Sequence, residues 1–220
     1  MSDTSSADLR QAILEAALKD IPFDGWTNEV LRKAGEAKGV SLDEIDLLFP
    51  RGSVDLLEAF SHAADAHMVC ALESADLASL KIRQRITLGV RSRIEFLQEH
   101  REASLRAASV LALPVHSVLA AQLLARTVDL AWRGIGDTST DFNFYTKRAT
   151  LSLVLSSTLF YWMTDEAEDL APTWDFLDRR IENVMQFEKT KARVKKAAAN
   201  MPSPVELLAK IRYAGSRFKV

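Results

Sequence analysis

Apolar side chains recur at intervals of three and four residues along nearly the whole chain, and alternating apolar–polar runs are scarce. That period places apolar groups on one face of a helix and leaves little for a sheet. It predicts helices at about 7–20, 27–38, 42–49, 53–73, 78–98, 102–113, 115–133, 140–164, 172–198 and 204–217. The breaks between them have chemical causes. Pro22 and Gly25 interrupt the chain after the first helix, Gly39 closes the second, and Ser41 can cap the third. "FPRGS" (49–53) precedes the long fourth helix, with Ser53 as its expected cap. "GIGD" (134–137) ends the seventh, and "LAP" (170–172) puts Pro172 in a first helical turn, where its missing N–H costs nothing. "MPSP" (201–204) sets the last segment apart with two prolines. There is no internal repeat or low-complexity tract.

The first four elements run long helix, two short helices around a Gly-Val turn, "FP", then another long helix. That order resembles the helix-turn-helix domain of TetR-type regulators over roughly the first 70 residues. The fold class it implies is an all-α, TetR-like helical bundle. Residues 1–73 would form the helix-turn-helix-like subdomain and 74–200 a ligand-binding and dimerisation bundle, with 201–220 a linker plus an extra C-terminal amphipathic helix. A DNA reader needs cations where its recognition helix meets phosphate. Here the corresponding helix, "SLDEIDLLF" (41–49), carries Asp43, Glu44 and Asp46 and no Lys or Arg. From Thr27 to Phe60 there are seven acids and four bases. The electrostatics are inverted, so no nucleic-acid partner is expected.

Composition narrows the class further. With 48% apolar residues the chain can build a core, and eight glycines and six prolines are too few for a many-turned sandwich. One cysteine, Cys70, excludes an intramolecular disulfide or a thiolate zinc cluster and suits a reducing compartment. On its apolar helix, Cys70 is expected to be a small core residue. The start, "MSDTSSADLR", has neither the apolar stretch of a signal peptide nor the Arg-rich look of a transit peptide. "LSLVLSSTLFYWM" (151–163) is too short and too rich in serine to span a bilayer. The net charge of −2 hides an asymmetry. From Gln186 onward nine Lys and Arg face two acids, a local +7, which leaves −9 on the rest of the chain.

No catalytic constellation emerges. His62 and His67 are five apart and miss the i, i+4 spacing that puts two ligands on one helical face. His100 in "QEHRE" and His116 after Pro114 read as capping or surface residues. No Glu-x-x-His pair, GxGxxG, P-loop, GxSxG or HExxH occurs. Asp165, Glu166, Glu168 and Asp169 read as a solvated loop. No enzyme activity, cofactor or metal is expected.

Two features remain. "SVLALPVHSVLAAQLLARTVDLAW" (109–132) and "LSLVLSSTLFYWM" are apolar around much of their circumference, which requires burial on all sides. They are either the packed centre of the bundle or the walls of a cavity for an apolar ligand, because both use the same residues. In the second case the lining candidates are Leu111, Leu119, Leu123, Leu151, Leu155, Leu159 and Trp162. The other feature is the tail. "SPVELLAKIRYAGSRFKV" aligns Leu207, Ile211, Ala214 and Phe218 in a narrow apolar stripe, which Leu208 widens. Lys210, Arg212, Arg217 and Lys219 surround it with positive charge. Lys189, Lys191, Arg193, Lys195 and Lys196 form a second basic patch upstream. A basic amphipathic helix after a proline linker suits an anionic membrane surface, although a helix docked on its own domain or on a second copy has the same stripe.

"GDTSTDFNFYTKRATL" (136–151) is polar at its start and crowded with aromatics. Thr140 can cap a helix there, and Asp141 suits the positive end of its dipole. Phe144 falls in line with Leu151, Leu155, Thr158 and Trp162, which predicts that it faces the core. Phe142 and Tyr145 point elsewhere, with Arg148 between them, as either a protein-docking patch or pins for the preceding loop. The motif "GDTSTDFNFYTKRA" closely resembles the signature of the coenzyme Q biosynthesis accessory family, lipid-binding TetR-like proteins of mitochondria and alphaproteobacteria. "GWT" (25–27), "ALPVH" (112–116), "VDLAW" (128–132) and "TWDFLDRR" (173–180) extend the likeness over about residues 10 to 190. The resemblance implies a homodimer that does not bind DNA and holds an isoprenoid lipid or ubiquinone precursor. It also implies a terminal membrane helix and assistance to the demethoxyubiquinone hydroxylase. It places Asp129, Trp132, Asp141, Phe144 and Tyr145 in the family's surface patch for that hydroxylase, with phenylalanine where the family pattern has tryptophan at 144. The location implied is cytoplasmic and peripheral on the inner membrane, or on the matrix face of the mitochondrial inner membrane.

Overall fold

The helical period is realised in ten α-helices among the residues that the computed structural model describes. These are residues 3–138 and 142–199 for the backbone, and 6–138 and 144–186 for side chains. In order they are α1 (Asp3–Ala17), α2 (Ile21–Asp24), α3 (Asn28–Ala37), α4 (Leu42–Leu48), α5 (Ser53–Ser74), α6 (Ile82–Glu99), α7 (Arg101–Leu111), α8 (Ser117–Gly134), α9 (Phe142–Met163) and α10 (Ala171–Ala199). Short 3-10 turns lie at Leu77–Ser79 and Pro114–His116, and no strand occurs among the described residues. The chain divides into two compact units, Met1–Asp178 and Arg179–Val220.

In the first unit α1 buries Ile13, Leu14 and Ala17, and α3, which packs on it, buries Val30, Leu31 and Ala34. A side chain at Gly35 would overlap Ile45 of α4, so glycine sets the close approach of these two short helices. Ser41 caps α4 by accepting from the Glu44 amide (3.4 Å). Around α5 the packing is two-sided. It meets α1 and α3 on one side and α6 and α8 on the other, so the N-terminal helices and the bundle share one unit. Trp26 adds a cross-tie by donating its indole N–H to the Ala103 carbonyl of α7 (3.0 Å). The family-like "GWT" thus has a local explanation. Gly25 supplies a positive φ of 72°, Trp26 is the buried tie, and Thr27 caps α3 through the Val30 amide (3.3 Å).

Several expectations are corrected. Pro22 does not leave a bare turn: Ile21–Asp24 is a single helical turn with the proline in its first positions, where no intrahelical N–H is needed. α6 starts at Ile82, because Leu77–Ser79 takes a 3-10 turn instead. Ser53 is the first residue of α5 and not its cap, and its amide is satisfied by the Asn28 side chain (2.8 Å). Cys70 is exposed. It lies two residues, or roughly 200° of helix, from both Met68 and Leu72, which are the buried positions of that stretch. The expected Thr140 cap and the helix at 204–217 lie outside the described residues.

Asp165 is also not a solvated loop residue. It is buried, and its carboxylate accepts from the Ala167 amide (3.0 Å), the Thr173 amide (3.0 Å) and the Thr173 hydroxyl (2.6 Å). It therefore caps the entry to α10. Burial alone would push its carboxyl group up, but the Thr173 and Ala167 hydrogen bonds and nearby Arg101 outweigh it and hold the group below the ordinary carboxylate range. A depressed folded-state value adds stability above the unfolded value, and this is lost as pH falls through the folded one. Asp165→Ala should therefore cost about 1–3 kcal/mol in urea unfolding at neutral pH. The gap from wild type should close as pH is taken below the ordinary carboxylate range, and a constant gap would show that the charge is not responsible.

Candidate functional site

α5, α6, α7, α8 and α9 enclose a cavity of about 610 Å³, within the range of roughly 300–1,000 Å³ that holds small ligands. Leu57, Phe60, Leu97, Leu105, Leu111, Leu123, Leu124, Leu155, Leu159, Trp162 and Met163 make most of its wall. Five of the sequence candidates therefore line it: Leu111, Leu123, Leu155, Leu159 and Trp162. Two do not. Leu119 faces a separate hollow of about 100 Å³ beside Trp26 and His116, and Leu151 is buried outside the lining, one helical turn beyond Leu155. Exposed Ser109, Ala112, Ser156 and Phe160 (75% accessible) belong to the same wall, so the cavity reaches the surface beside α7 and α9.

The polar part of the wall was missed by sequence reasoning. Ser61, Arg93, Ser104 and Thr127 line the cavity and are all buried. Behind them lies Asp65, 1% exposed, whose Oδ1 accepts from Arg93 Nε (3.0 Å) and from the Thr127 hydroxyl (2.7 Å). Arg93 Nη2 also donates to Ser61 Oγ (3.2 Å). Oδ2 of Asp65 accepts no hydrogen bond and meets only Arg126 Nε, in a long ionic contact of 3.5 Å. The signal was in the sequence. Asp65 interrupts the stripe of Leu57, Ser61, Met68 and Leu72, Arg93 falls between Val90 and Leu97, and Thr127 between Leu123 and Ala131. A polar residue in a core-facing stripe needs a partner, and these three are one another's.

A second constellation joins the end of α8 to the start of α9. The Asp129 carboxylate receives Arg133 (2.7 Å) from its own helix and Arg148 Nε (2.8 Å) from α9. Lys147 pairs with Asp137 at 2.6 Å, and Trp132 donates its indole N–H to the Lys147 carbonyl (3.2 Å). The Arg148 guanidinium lies 3.4 Å from the centre of the Phe144 ring, which meets Tyr145 edge-on at 5.1 Å. Phe144 is therefore half-buried beneath Arg148 and does not join the core, unlike Leu151, Leu155, Thr158 and Trp162. The reason is local: residues four apart share a helical face, and the next position on that face is a charged one. Tyr145 is 69% exposed. Asp129, Trp132, Phe144 and Tyr145 are thus brought together, while Asp141 and the Phe142 side chain lie outside the described residues. The terminal candidates Leu207, Leu208, Lys210, Ile211, Arg212, Arg217, Phe218 and Lys219 lie outside them too.

Among the described residues no group of three or more His, Cys, Asp or Glu could hold a metal ion, and no single helix is long and apolar enough to cross a membrane. In the helix-turn-helix-like region Asp43 and Asp46 of α4 are exposed beside Leu42 and Leu47, a face that repels phosphate.

Comparison with known proteins agrees with this architecture. The COQ9 family model matches residues 118–188, which span α8, the charged aromatic constellation and the cap of α10. The mitochondrial ubiquinone biosynthesis protein COQ9 of Rattus norvegicus is 33% identical over 198 residues, covering 87% of this chain and 63% of the relative. Its Homo sapiens counterpart is 32% identical, with 87% and 62% covered. The chain thus spans less than two thirds of the length of these relatives. Among solved structures, a TetR transcriptional regulator from Nitrosomonas europaea superposes with a TM-score of 0.65 at 25% identity, over 80% of this chain and 97% of that one. The fold is TetR-like and all-α.

Removing Arg148 as Arg148→Met should take away the cation shared by Asp129 and Asp137, which keep Arg133 and Lys147, and uncover the Phe144 face. The expected loss is about 1–3 kcal/mol in chemical unfolding. The change should be smaller in Asp129→Asn/Arg148→Met than the two single changes added together, which a double-mutant cycle measures directly.

Proposed function

We propose that this chain, a COQ9-family protein by its domain and its homologues, is a non-catalytic accessory protein of ubiquinone biosynthesis. It binds an isoprenoid lipid or quinone intermediate in the α5–α9 cavity and presents it, at a membrane, to a partner demethoxyubiquinone hydroxylase. The single observation that carries this reading is the apolar cavity of about 610 Å³, which a bundle with a packed centre does not need. The docking face for the hydroxylase is the constellation of Asp129, Trp132, Phe144 and Tyr145, and the family-like motif adds Asp141 to it as a sequence candidate. It combines an exposed aromatic ring with paired charges, the mixture that supplies binding hot spots. Val118 and Leu153, exposed on α8 and α9, are the natural seam for a homodimer. The basic stripe from Leu207 to Lys219 holds the protein against anionic lipid, on the cytoplasmic or matrix face of an inner membrane.

A ligand-responsive TetR-type regulator is the second reading, favoured by the structural likeness to the Nitrosomonas europaea regulator and opposed by the acidic α4. Mass spectrometry of lipid that co-purifies with native protein separates the readings from a merely packed core: isoprenoid or quinone species are expected, and lipid-free protein would count against the cavity. The protein should not bind its own promoter DNA more tightly than the non-specific range of about 10⁻⁴ to 10⁻⁶ M, and salt-sensitive sequence-selective binding beyond that would restore the regulator.

The tail is tested separately. Each basic residue near an anionic surface contributes about 1 kcal/mol, and the apolar stripe adds burial. Removing residues 202–220 should abolish sedimentation with anionic liposomes while leaving the circular dichroism helical. Exchange of Leu207, Ile211 and Phe218 for Ser should weaken sedimentation even at low salt. Undiminished sedimentation of the truncated chain would assign the stripe to packing on the protein itself.

A further inference from the structure

The cavity is apolar except at one place, and that place has hydrogen-bond donors to spare. Arg93 and Ser61 both line it and are more than nine-tenths buried, at 7% and 8% accessibility. Arg93 uses Nε on Asp65 and Nη2 on Ser61 Oγ. Its Nη1 donates to no atom among the described residues, and neither does the Ser61 hydroxyl, whose oxygen is occupied as an acceptor. Donors on the wall of a cavity that reaches the surface can take their acceptors from a ligand that enters it. Thr127 and Ser104 have spent their protons, on Asp65 and on the Leu97 carbonyl (2.9 Å), so the spare donors concentrate at Arg93 and Ser61. Asp65 neutralises Arg93 from behind, which removes the demand for an anion and leaves directed N–H and O–H groups. Phe60 and Trp162, both buried, belong to the same lining and keep it aromatic beside these donors.

We propose that the Arg93–Ser61 wall is a head-group site, which receives the oxygenated end of an amphipathic ligand while its hydrocarbon runs along Leu155, Leu159 and Met163 toward the opening. This rests on the lipid-binding reading above and deepens it by fixing the ligand's chemistry and orientation. The head is an uncharged group with carbonyl or ether oxygens, such as a methoxylated benzoquinone ring or a lipid ester. Held in this way, it is shielded from water inside the bundle and becomes available to a partner only as it leaves through the opening beside Phe160.

The test uses delipidated full-length protein and three probes in titration calorimetry: dimethoxybenzoquinone carrying two isoprene units, monocaprin, and the hydrocarbon farnesene. The oxygenated probes should bind more tightly than farnesene. Ser61→Ala should weaken the preferred oxygenated probe by about three- to tenfold, and Arg93→Lys, which keeps a cation opposite Asp65, by roughly tenfold or more. Neither change should alter farnesene binding, and a circular dichroism spectrum equal to that of the unchanged protein shows that the Ser61→Ala bundle is intact. Preference for the quinone over monocaprin assigns the site to a quinone ring, and the reverse assigns it to a lipid ester; both support the head-group site. Equal affinity for all three probes, or equal losses for all three in the variants, would overturn it while leaving lipid binding standing. Failure of every probe to bind would overturn the cavity reading and this site with it.

Discussion

A single buried carboxylate ties three helices of the bundle together. Asp65 of α5 takes the Arg93 guanidinium from α6 and the Thr127 hydroxyl from α8 on the same oxygen. Removing this charge from water costs several kcal/mol, and the cost is recovered only if its partners stay in place. The pair is therefore weak evidence for stability and strong evidence for geometry. It fixes how α5, α6 and α8 sit against one another, and that spacing leaves the cavity open beside it.

The same economy of polar groups appears where the chain enters and leaves helices. Asp165 gathers two amides and a hydroxyl at the start of α10, Trp26 reaches the Ala103 carbonyl, and Asn28 caps the first amide of α5. Arg101 adds bonds to the carbonyls of Met163 (3.2 Å) and Asp165 (3.0 Å), so the turn after α9 is held from α7. The family-like motifs "GWT", "VDLAW" and "TWDFLDRR" thus contain residues with identifiable structural duties. Trp174 bonds the Asp169 carbonyl (3.1 Å) and lies under the Arg91 guanidinium, while Phe176 stacks on Tyr161 at 4.6 Å. Such positions order the scaffold. The Tyr145 ring makes no comparable buried tie and stays exposed.

At the N-terminal end the helix-turn-helix shape stands without basic charge on its second short helix. Gly35, Gly39 and Ser41 set the two short helices as a helix-turn-helix requires, yet the helix that would enter DNA presents Asp43 and Asp46 to solvent. α1, α3 and α4 bury their apolar faces against one another, so the charge of the outer face does not set the fold.

The sequence by itself determined most of the helices that the structure describes, the acidic face of α4 and the lack of a familiar catalytic motif, because each depends on neighbours within a turn or two. It also placed Leu155, Leu159 and Trp162 on one face, since a period of 3.6 residues defines faces. It could not decide between a packed centre and a hollow one. That depends on the distance between helices, which the Asp65–Arg93 pair and its neighbours set across 28 residues of sequence. For the same reason Cys70 was placed inward, when Met68 and Leu72 had already taken the buried face, and Phe144 was placed in the core, when Arg148 from the next turn covers it. Periodicity tells which residues look the same way. Only the tertiary structure decides what they look at.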